Sequence, residues 1–176
     1  MATNDKFPMI FLDRDGTIIV DKVYLNDPQD IEFFDGVIDG LKKLVEKNFK
    51  LVIVTNQSGV ARGLVNIENL NKIHQKILEI LNSNGVDVYK IYFCPHLPEE
   101  NCSCRKPKTG MVKEIEHLID KEKSFMVGDK EIDVEFGKNL GIRTILISND
   151  KNIQSKAEFV VKNFLEAVNI ILNHIV

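Results

Sequence analysis

Met9-Ile10-Phe11-Leu12-Asp13-Arg14-Asp15-Gly16-Thr17 is the stretch on which the fold turns. Met9 to Leu12 is an unbroken apolar run bounded by Pro8 and Gly16, which reads as a short strand buried on both faces of a parallel sheet. Two aspartates stand where the run ends. In an extended chain residues two apart point the same way, so Asp13 and Asp15 are expected to project toward one spot. Carboxylates held together repel each other, and Mg²⁺, which favours carboxylate oxygens plus substrate phosphate, relieves that repulsion. The same residues also suit a plain turn, since Asp and Gly are turn formers. Eight or nine residues leave the two readings level, and the rest of the chain separates them.

Working outward, apolar runs alternate with amphipathic stretches. Residues 18–34 are mixed and turn-rich (Asn26-Asp27-Pro28), a short hairpin or flap close to Asp13. Asp35 is placed to cap a helix over 36–47 with the stripe Val37, Ile38, Leu41, Leu44 and Val45, ended by Asn48. Residues 50–54 form a second strand that closes on Thr55-Asn56-Gln57-Ser58-Gly59. Ile67, Leu70, Ile73, Ile77, Ile80 and Leu81 mark a longer helix, stopped by Asn84-Gly85. A third strand spans 88–93, and 94–108 is an aperiodic loop. Thr109 is read as the cap of a helix whose stripe is Val112, Ile115, Leu118 and Ile119. A fourth strand, 124–127, ends in Gly128-Asp129. A helix to about Leu140, with Gly141 beyond it, and a fifth strand over 142–147 follow. A short strand near 159–161 and a helix over 165–175 complete the chain.

This alternation predicts an α/β fold: a doubly wound parallel sheet with helices on both faces, as one domain over 1–176. In such sheets ligands bind outside the carboxyl ends of the strands. Asp13/Asp15, Thr55/Asn56 and Gly128/Asp129 all fall there, which lifts the metal reading of the aspartates above the turn reading.

The totals agree. At 176 residues, 44% hydrophobic and 28% charged, the chain has the size and composition of one soluble globular domain. A net charge of -3 disfavours a nucleic-acid surface, which wants a basic face. Residues 1–7 are polar, and no apolar run is long enough to span a bilayer, so a cytoplasmic protein without membrane contact is expected. Three cysteines crowded between Cys94 and Cys104 are unlike a disulfide framework. With His96 they give the spacing Cys94-x-His96-x₅-Cys102-x-Cys104, three thiolates and an imidazole, a closed tetrahedral set for structural Zn²⁺. His74, His117 and His174 sit on predicted helices and receive no special role.

Thr55 alone would be read as a helix cap, but at a strand end facing two aspartates its hydroxyl suits a phosphate. Pro107 pushes Lys106 into an extended conformation, so an Arg105-Lys106-Pro107 turn holds two cations in defined directions. Asp133, four residues after Asp129, is placed to support it from a shared helix face.

Asp13-x-Asp15-Gly-Thr, Thr55, Lys106 and Gly128-Asp129-x-x-x-Asp133 together resemble the four ordered motifs of the haloacid dehalogenase superfamily of phosphohydrolases. The longer runs Leu12–Thr17, Thr55–Gly59, Cys94-Pro-His96, Cys102–Pro107 and Gly128-Asp129-Lys130 resemble its heptose-bisphosphate phosphatase branch, whose histidinol-phosphate relatives share the skeleton. The resemblance spans residues 8 to 150. It implies Asp13 as nucleophile, Asp15 as general acid and base, and Thr55 and Lys106 on the transferring phosphoryl oxygens. It also implies Mg²⁺ on Asp13, the Asp15 carbonyl and Asp129. The connections leave no room for a cap domain, so Asp21, Lys22, Val23, Tyr24, Asn56, Gln57, Ser58 and Arg105 are expected to recognise the substrate. The implied partner is a small sugar bisphosphate, and the implied state is a monomer.

Two other classes fit less well. A phosphoaspartate receiver module carries its acceptor on a later strand than its acidic pair, whereas Asp13 comes first here. A zinc module binding nucleic acid would need a basic, aromatic face. Within the enzyme reading, a short zinc loop favours histidinol phosphate, and the runs 55–63, 21–24 and 128–130 favour the heptose substrate.

Overall fold

The computed structural model describes residues 5–175. Its strands are β1 (Met9–Leu12), β2 (Lys50–Asn56), β3 (Val88–Cys94), β4 (Phe125–Gly128), β5 (Arg143–Ile147) and β6 (Phe159–Val161). Its α-helices are α1 (Val37–Glu46), α2 (Ile67–Ser83), α3 (Glu131–Leu140) and α4 (Phe164–Asn173). All six strands are parallel, in the order β3-β2-β1-β4-β5-β6. The chain steps outward from β1 in one direction, then restarts at β4 on its other side. The topological switch point therefore lies between β1 and β4, at the carboxyl ends that carry Asp13 and Asp129.

The alternation of side chains along β1 divides the core. Ile10 and Leu12 join the cluster covered by α1, α2 and α4, whereas Met9 and Phe11 join the one covered by α3 and residues 110–119. Carried past the strand, this parity sends Asp13 toward α3 and Arg14 toward α2. The helices form where the apolar stripes predict them. At β4, a Cβ on Gly128 would collide with the Asp133 side chain, so only glycine lets α3 start this close to the strand end.

Two local expectations fail. The cap of α1 is Gly36, not Asp35: the chain enters the helix through a left-handed residue with φ 79° and no side-chain cap. The positive φ selects glycine there; the atom a Cβ would meet, Leu165 Cδ1 at 2.8 Å, is the end of an exposed side chain that can move aside. Thr109 likewise caps no α-helix. Residues 110–119 form two 3₁₀ turns, Gly110–Val112 and Glu116–Leu118, and the Thr109 side chain makes no cap bond. The N–H groups of Val112, Ile115 and Leu118 donate to the carbonyls three residues back, at 3.1, 3.0 and 2.9 Å. Their spacing of three aligns them on one side of a helix with three residues per turn, so the stripe is real and its period is that of the tighter helix.

Among the described residues no cap domain is inserted; the long strand-end excursions are the flap 18–34 and the loop 94–108. Among them too, no helix is long and apolar enough to cross a membrane.

Candidate active site

Asp13, Thr55 and Lys106 meet at the switch point, each largely buried. Lys106 Nζ donates to Asp13 Oδ1 at 2.8 Å, to Asp133 Oδ1 at 2.7 Å and to the Val54 carbonyl at 2.8 Å. Burial alone would lower the pKa of this ammonium, but the charges of Asp13 and Asp133 outweigh it and raise it. Asp133 therefore supports Lys106, where the spacing had suggested Asp129. It also accepts from the Lys130 N–H at 3.2 Å, because it occupies the third position of α3 and reaches back to the helix start.

Carboxylate oxygens of Asp13, Asp129 and Asp133 all lie within 4.8 Å of one another. Burial first, then the neighbouring Asp13 charge, pushes Asp129 up to about 7 and Asp133 up to about 6. Lys106 already serves Asp13 and Asp133, so Asp129 is the acid left without a matching cation. Thr17 Oγ1 donates to Asp129 Oδ1 at 3.1 Å, a contact to a neutral hydroxyl that leaves the charge in place. This donor set, crowded and short of positive charge, fits a divalent cation held by Asp13 and Asp129.

Asp15 lines the same cavity as Asp13, yet its carboxylate is held by other partners. Arg14 Nη2 lies 2.9 Å from both oxygens, and Gln57 Nε2 donates to Oδ2 at 2.8 Å. Gln57 also donates to Thr55 Oγ1 at 2.8 Å, tying the two strand ends together.

Two cavities of about 250 Å³ each open here. The first contains Asp13, Thr55, Lys106 and Arg105; the second runs under the flap past Asp21, Val23 and Tyr24. They share Asp15, Asn56, Ser58 and Lys130. Lys130 is a cation at the junction that stands in the run Gly128-Asp129-Lys130 but receives no role in the site from sequence alone.

Not every expected rim residue faces this space. Lys22 pairs with Glu32 at 2.6 Å and lies outside both linings. The Asn56 amide is committed internally: Oδ1 accepts from Lys106 N–H at 2.9 Å and Nδ2 donates to the Lys106 carbonyl at 3.2 Å. Asn56 thus clamps the peptide that carries the buried lysine. Arg105 Nη1 donates to the His96 carbonyl at 3.2 Å, so the loop of cysteines aims it.

In that loop Cys94 Sγ, His96 Nδ1, Cys102 Sγ and Cys104 Sγ lie within 4.8 Å of one another. The Cys104 and Cys94 sulfurs are 3.0 Å apart, and His96 Nδ1 is 3.3 Å from Cys94 Sγ and 3.2 Å from Cys104 Sγ. Burial, then hydrogen bonding to Cys104, pushes the Cys94 thiol up to about 12. Burial acts the same way on Cys102, but hydrogen bonds from the Arg105 backbone and the other thiols hold it down near 6. Three soft donors and an imidazole converging without a fifth group fit tetrahedral Zn²⁺.

Asp13, Asp15 two residues on, Thr55 and Lys106 gathered at the carboxyl ends of a parallel sheet match the site arrangement of a phosphohydrolase of the haloacid dehalogenase type. Comparison with known proteins agrees. The family model "Polynucleotide kinase 3 phosphatase" matches residues 8–133, and a haloacid-dehalogenase-hydrolase-like model matches 103–167. The D-glycero-β-D-manno-heptose-1,7-bisphosphate 7-phosphatase of Helicobacter pylori strain 26695 is 38% identical over 166 residues, 92% of this chain and 96% of that one. The bifunctional histidine-biosynthesis protein HisB of Campylobacter jejuni subsp. doylei is 42% identical over 140 residues, 77% of this chain but 40% of that one. The crystal structure of the D,D-heptose 1,7-bisphosphate phosphatase of B. bronchiseptica, complexed with magnesium and phosphate, superposes with a TM-score of 0.85 at 28% identity, covering 95% of this chain and 99% of that one. The chain belongs to the haloacid dehalogenase-like phosphatases, in the family of the heptose-1,7-bisphosphate 7-phosphatases.

Proposed function

We propose that this phosphoric monoester hydrolase removes the C7 phosphate of D-glycero-D-manno-heptose 1,7-bisphosphate, leaving the 1-phosphate for nucleotide-activated heptose and glycan synthesis. The observation that carries this reading is the pair of adjoining cavities: one surrounds Asp13, and the other extends past a shared rim containing Lys130. A substrate with two phosphates on a short polyol needs that shape, one end over the nucleophile and the other against cations several bonds away. Lys130 lines both cavities, and Arg105 lines the one around Asp13. The relatives named for the β anomer favour that anomer here.

Asp13 attacks phosphorus, forming an acyl-phosphate while the bond from phosphorus to the C7 oxygen breaks. Asp15 gives that oxygen its proton, then takes one from the water that cleaves the acyl-phosphate and returns Asp13 with free phosphate. Lys106 and Thr55 neutralise the phosphoryl oxygens as charge spreads over them, and Asn56 keeps Lys106 in register. Asp13 and Asp129, with the Asp15 carbonyl, would hold Mg²⁺, which when bound offsets the negative charge of phosphate and carboxylates. Cys94, His96, Cys102 and Cys104 would hold Zn²⁺ as a structural pin behind Arg105 and Lys106. We place the reaction in the cytoplasm and assign the work to a single polypeptide acting as a monomer on a small molecule.

HisB carries the competing reading, histidinol phosphate. That substrate has one phosphate and a cationic amine, which Arg105 and Lys130 would repel. Product analysis separates the two. The expected result is Mg²⁺-dependent release of one phosphate per bisphosphate, with the C1 phosphate intact; loss of the C1 phosphate first contradicts the proposal.

A further inference from the structure

Behind Asp15 lies a buried run of polar contacts that the mechanism above does not use. Arg14 is 1% exposed; its guanidinium meets His74 of α2, and the residue also borders the cavity under the flap. One edge faces Asp15, with Nε 3.1 Å and Nη2 2.9 Å from Oδ1. The other edge, Nη1, lies 3.0 Å from His74 Nε2. His74 sits on the buried face of α2 with Leu70, Ile73 and Ile77, its ring 5.5 Å from that of Phe93.

A guanidinium has donors only, so this contact needs His74 to accept at Nε2, with its own proton on Nδ1. The surroundings favour that neutral form: burial, then the Arg14 charge, pushes His74 down to about 3. Stability alone is a poor account of the run. A buried ion pair is often no more stabilising than apolar side chains of similar volume. What a two-ended hold does supply is direction.

We propose that Arg14 and His74 are positioning residues for acid–base catalysis: His74 fixes the plane of the Arg14 guanidinium, and that plane fixes the Asp15 carboxylate against the leaving oxygen. Gln57 donates to Oδ2 of the same carboxylate, so groups following β1 and β2 both hold Asp15. The inference rests on the phosphatase reading of Asp15, and it adds a prediction that reading does not make. Orientation of a general acid matters when the leaving group is a sugar alkoxide, which needs a proton. It matters little for nitrophenolate, which leaves without one.

The test compares kcat/KM, which reports the steps through acyl-phosphate formation, on the heptose bisphosphate and on p-nitrophenyl phosphate. His74→Phe keeps a ring in the core and removes the acceptor. His74→Gln places a carbonyl oxygen as many bonds from Cα as Nε2 and restores it. His74→Phe is expected to lower kcat/KM for the sugar roughly ten- to a hundredfold, a share of what a general acid contributes, and less than about threefold for the aryl ester. His74→Gln should recover most of the loss. If His74→Phe does not fold, His74→Leu, which keeps an apolar side chain on that buried face of α2 and lacks the acceptor, should show the same selectivity. Equal losses on both substrates, or no loss in a folded His74→Phe, overturn the inference. Wild-type protein inactive on both substrates would instead overturn the phosphatase reading itself.

Discussion

The molecule gathers ligands in two places, and it treats them in opposite ways. In the loop 94–104, three sulfurs and one imidazole nitrogen point inward at one another, and among the described residues no further His, Cys, Asp or Glu joins the cluster. At the strand ends, Asp13, Asp129 and Asp133 approach as closely, yet a cavity of about 250 Å³ opens there, lined by Asp13 and Asp133 together with Lys106, which pairs with both. The first arrangement is complete in itself and holds a loop. The second stays open: cations line the cavity a phosphate would enter, and Asp129 beside it has no ion-pair partner among the described residues. The difference suits the closed site to an ion that would shape the protein and the open one to an ion that would serve a reaction, and the chain joins the two: the residues directly after Cys104 are Arg105 and Lys106, which reach from the closed site into the open one.

Asp13→Asn is the most severe way to test the open site. An amide cannot form the acyl-phosphate, so kcat should fall roughly a thousandfold or more while the fold persists. Steady-state assays and circular dichroism check this, and near wild-type turnover would remove Asp13 from the mechanism. The closed site should respond in the other currency. Cys102→Ser should release zinc, seen by elemental analysis, and lower the unfolding temperature on the order of 10 °C. A chelator at low concentration should discriminate further, stopping turnover reversibly with Mg²⁺ alone while zinc stays bound. Protein purified without zinc yet unchanged in stability would break the contrast.

Between these two regions, Arg105→Ala sharpens the coupling. Loss of a charge-assisted hydrogen bond, worth about 1.5–3 kcal/mol, should lower kcat/KM for the bisphosphate roughly ten- to a hundredfold. The aryl ester, having no second phosphate, should lose much less. Equal losses would show that Arg105 shapes the site and does not read the substrate.

How far the sequence disclosed this arrangement depends on what each feature rests on. The strands were legible because Ile10–Leu12, Leu51–Val54 and Phe125–Val127 are apolar at every position, which only a doubly covered sheet explains. The cysteine loop was legible from spacing alone. Residues 110–119 were misread as α-helix because apolar residues three apart fit both helical periods over so short a run. Asp35 reads as the cap because side-chain capping is visible in a sequence, whereas the left-handed entry at Gly36 is not. Asn56 and Gln57 look like recognition residues by their position, and only the fold shows their amides bound to Lys106 and to Asp15 and Thr55. His74 carried a signal that was overlooked: it is a polar residue at helical spacing among Leu70, Ile73 and Ile77, on a face that must be buried.

The smallest expected effect is a pH trend in the open site. Asp129 stands near 7 in the folded chain against an ordinary value of 3.8. Between those values the folded, metal-free protein holds more protons than the unfolded chain, so this group's contribution to stability falls as pH rises through the window. Mg²⁺ competes with that proton, and its stabilising effect should grow from pH 5 to pH 8. Thermal unfolding with and without Mg²⁺ reads this directly; an increment that shrinks with pH would place the cation elsewhere.

The central claim is that one bisphosphate spans both cavities, its C7 phosphate at Asp13 and its C1 phosphate beyond the rim. An equimolar mixture of D-glycero-β-D-manno-heptose 1,7-bisphosphate and histidinol phosphate, followed by ³¹P NMR with wild-type enzyme and Mg²⁺, measures the ratio of the two kcat/KM values in a single progress curve. The C7 resonance should disappear first, with the C1 resonance retained and histidinol phosphate consumed at least about tenfold more slowly, the ratio expected from one lost charge-assisted contact. Histidinol phosphate consumed first, or the C1 resonance lost before C7, would contradict the account.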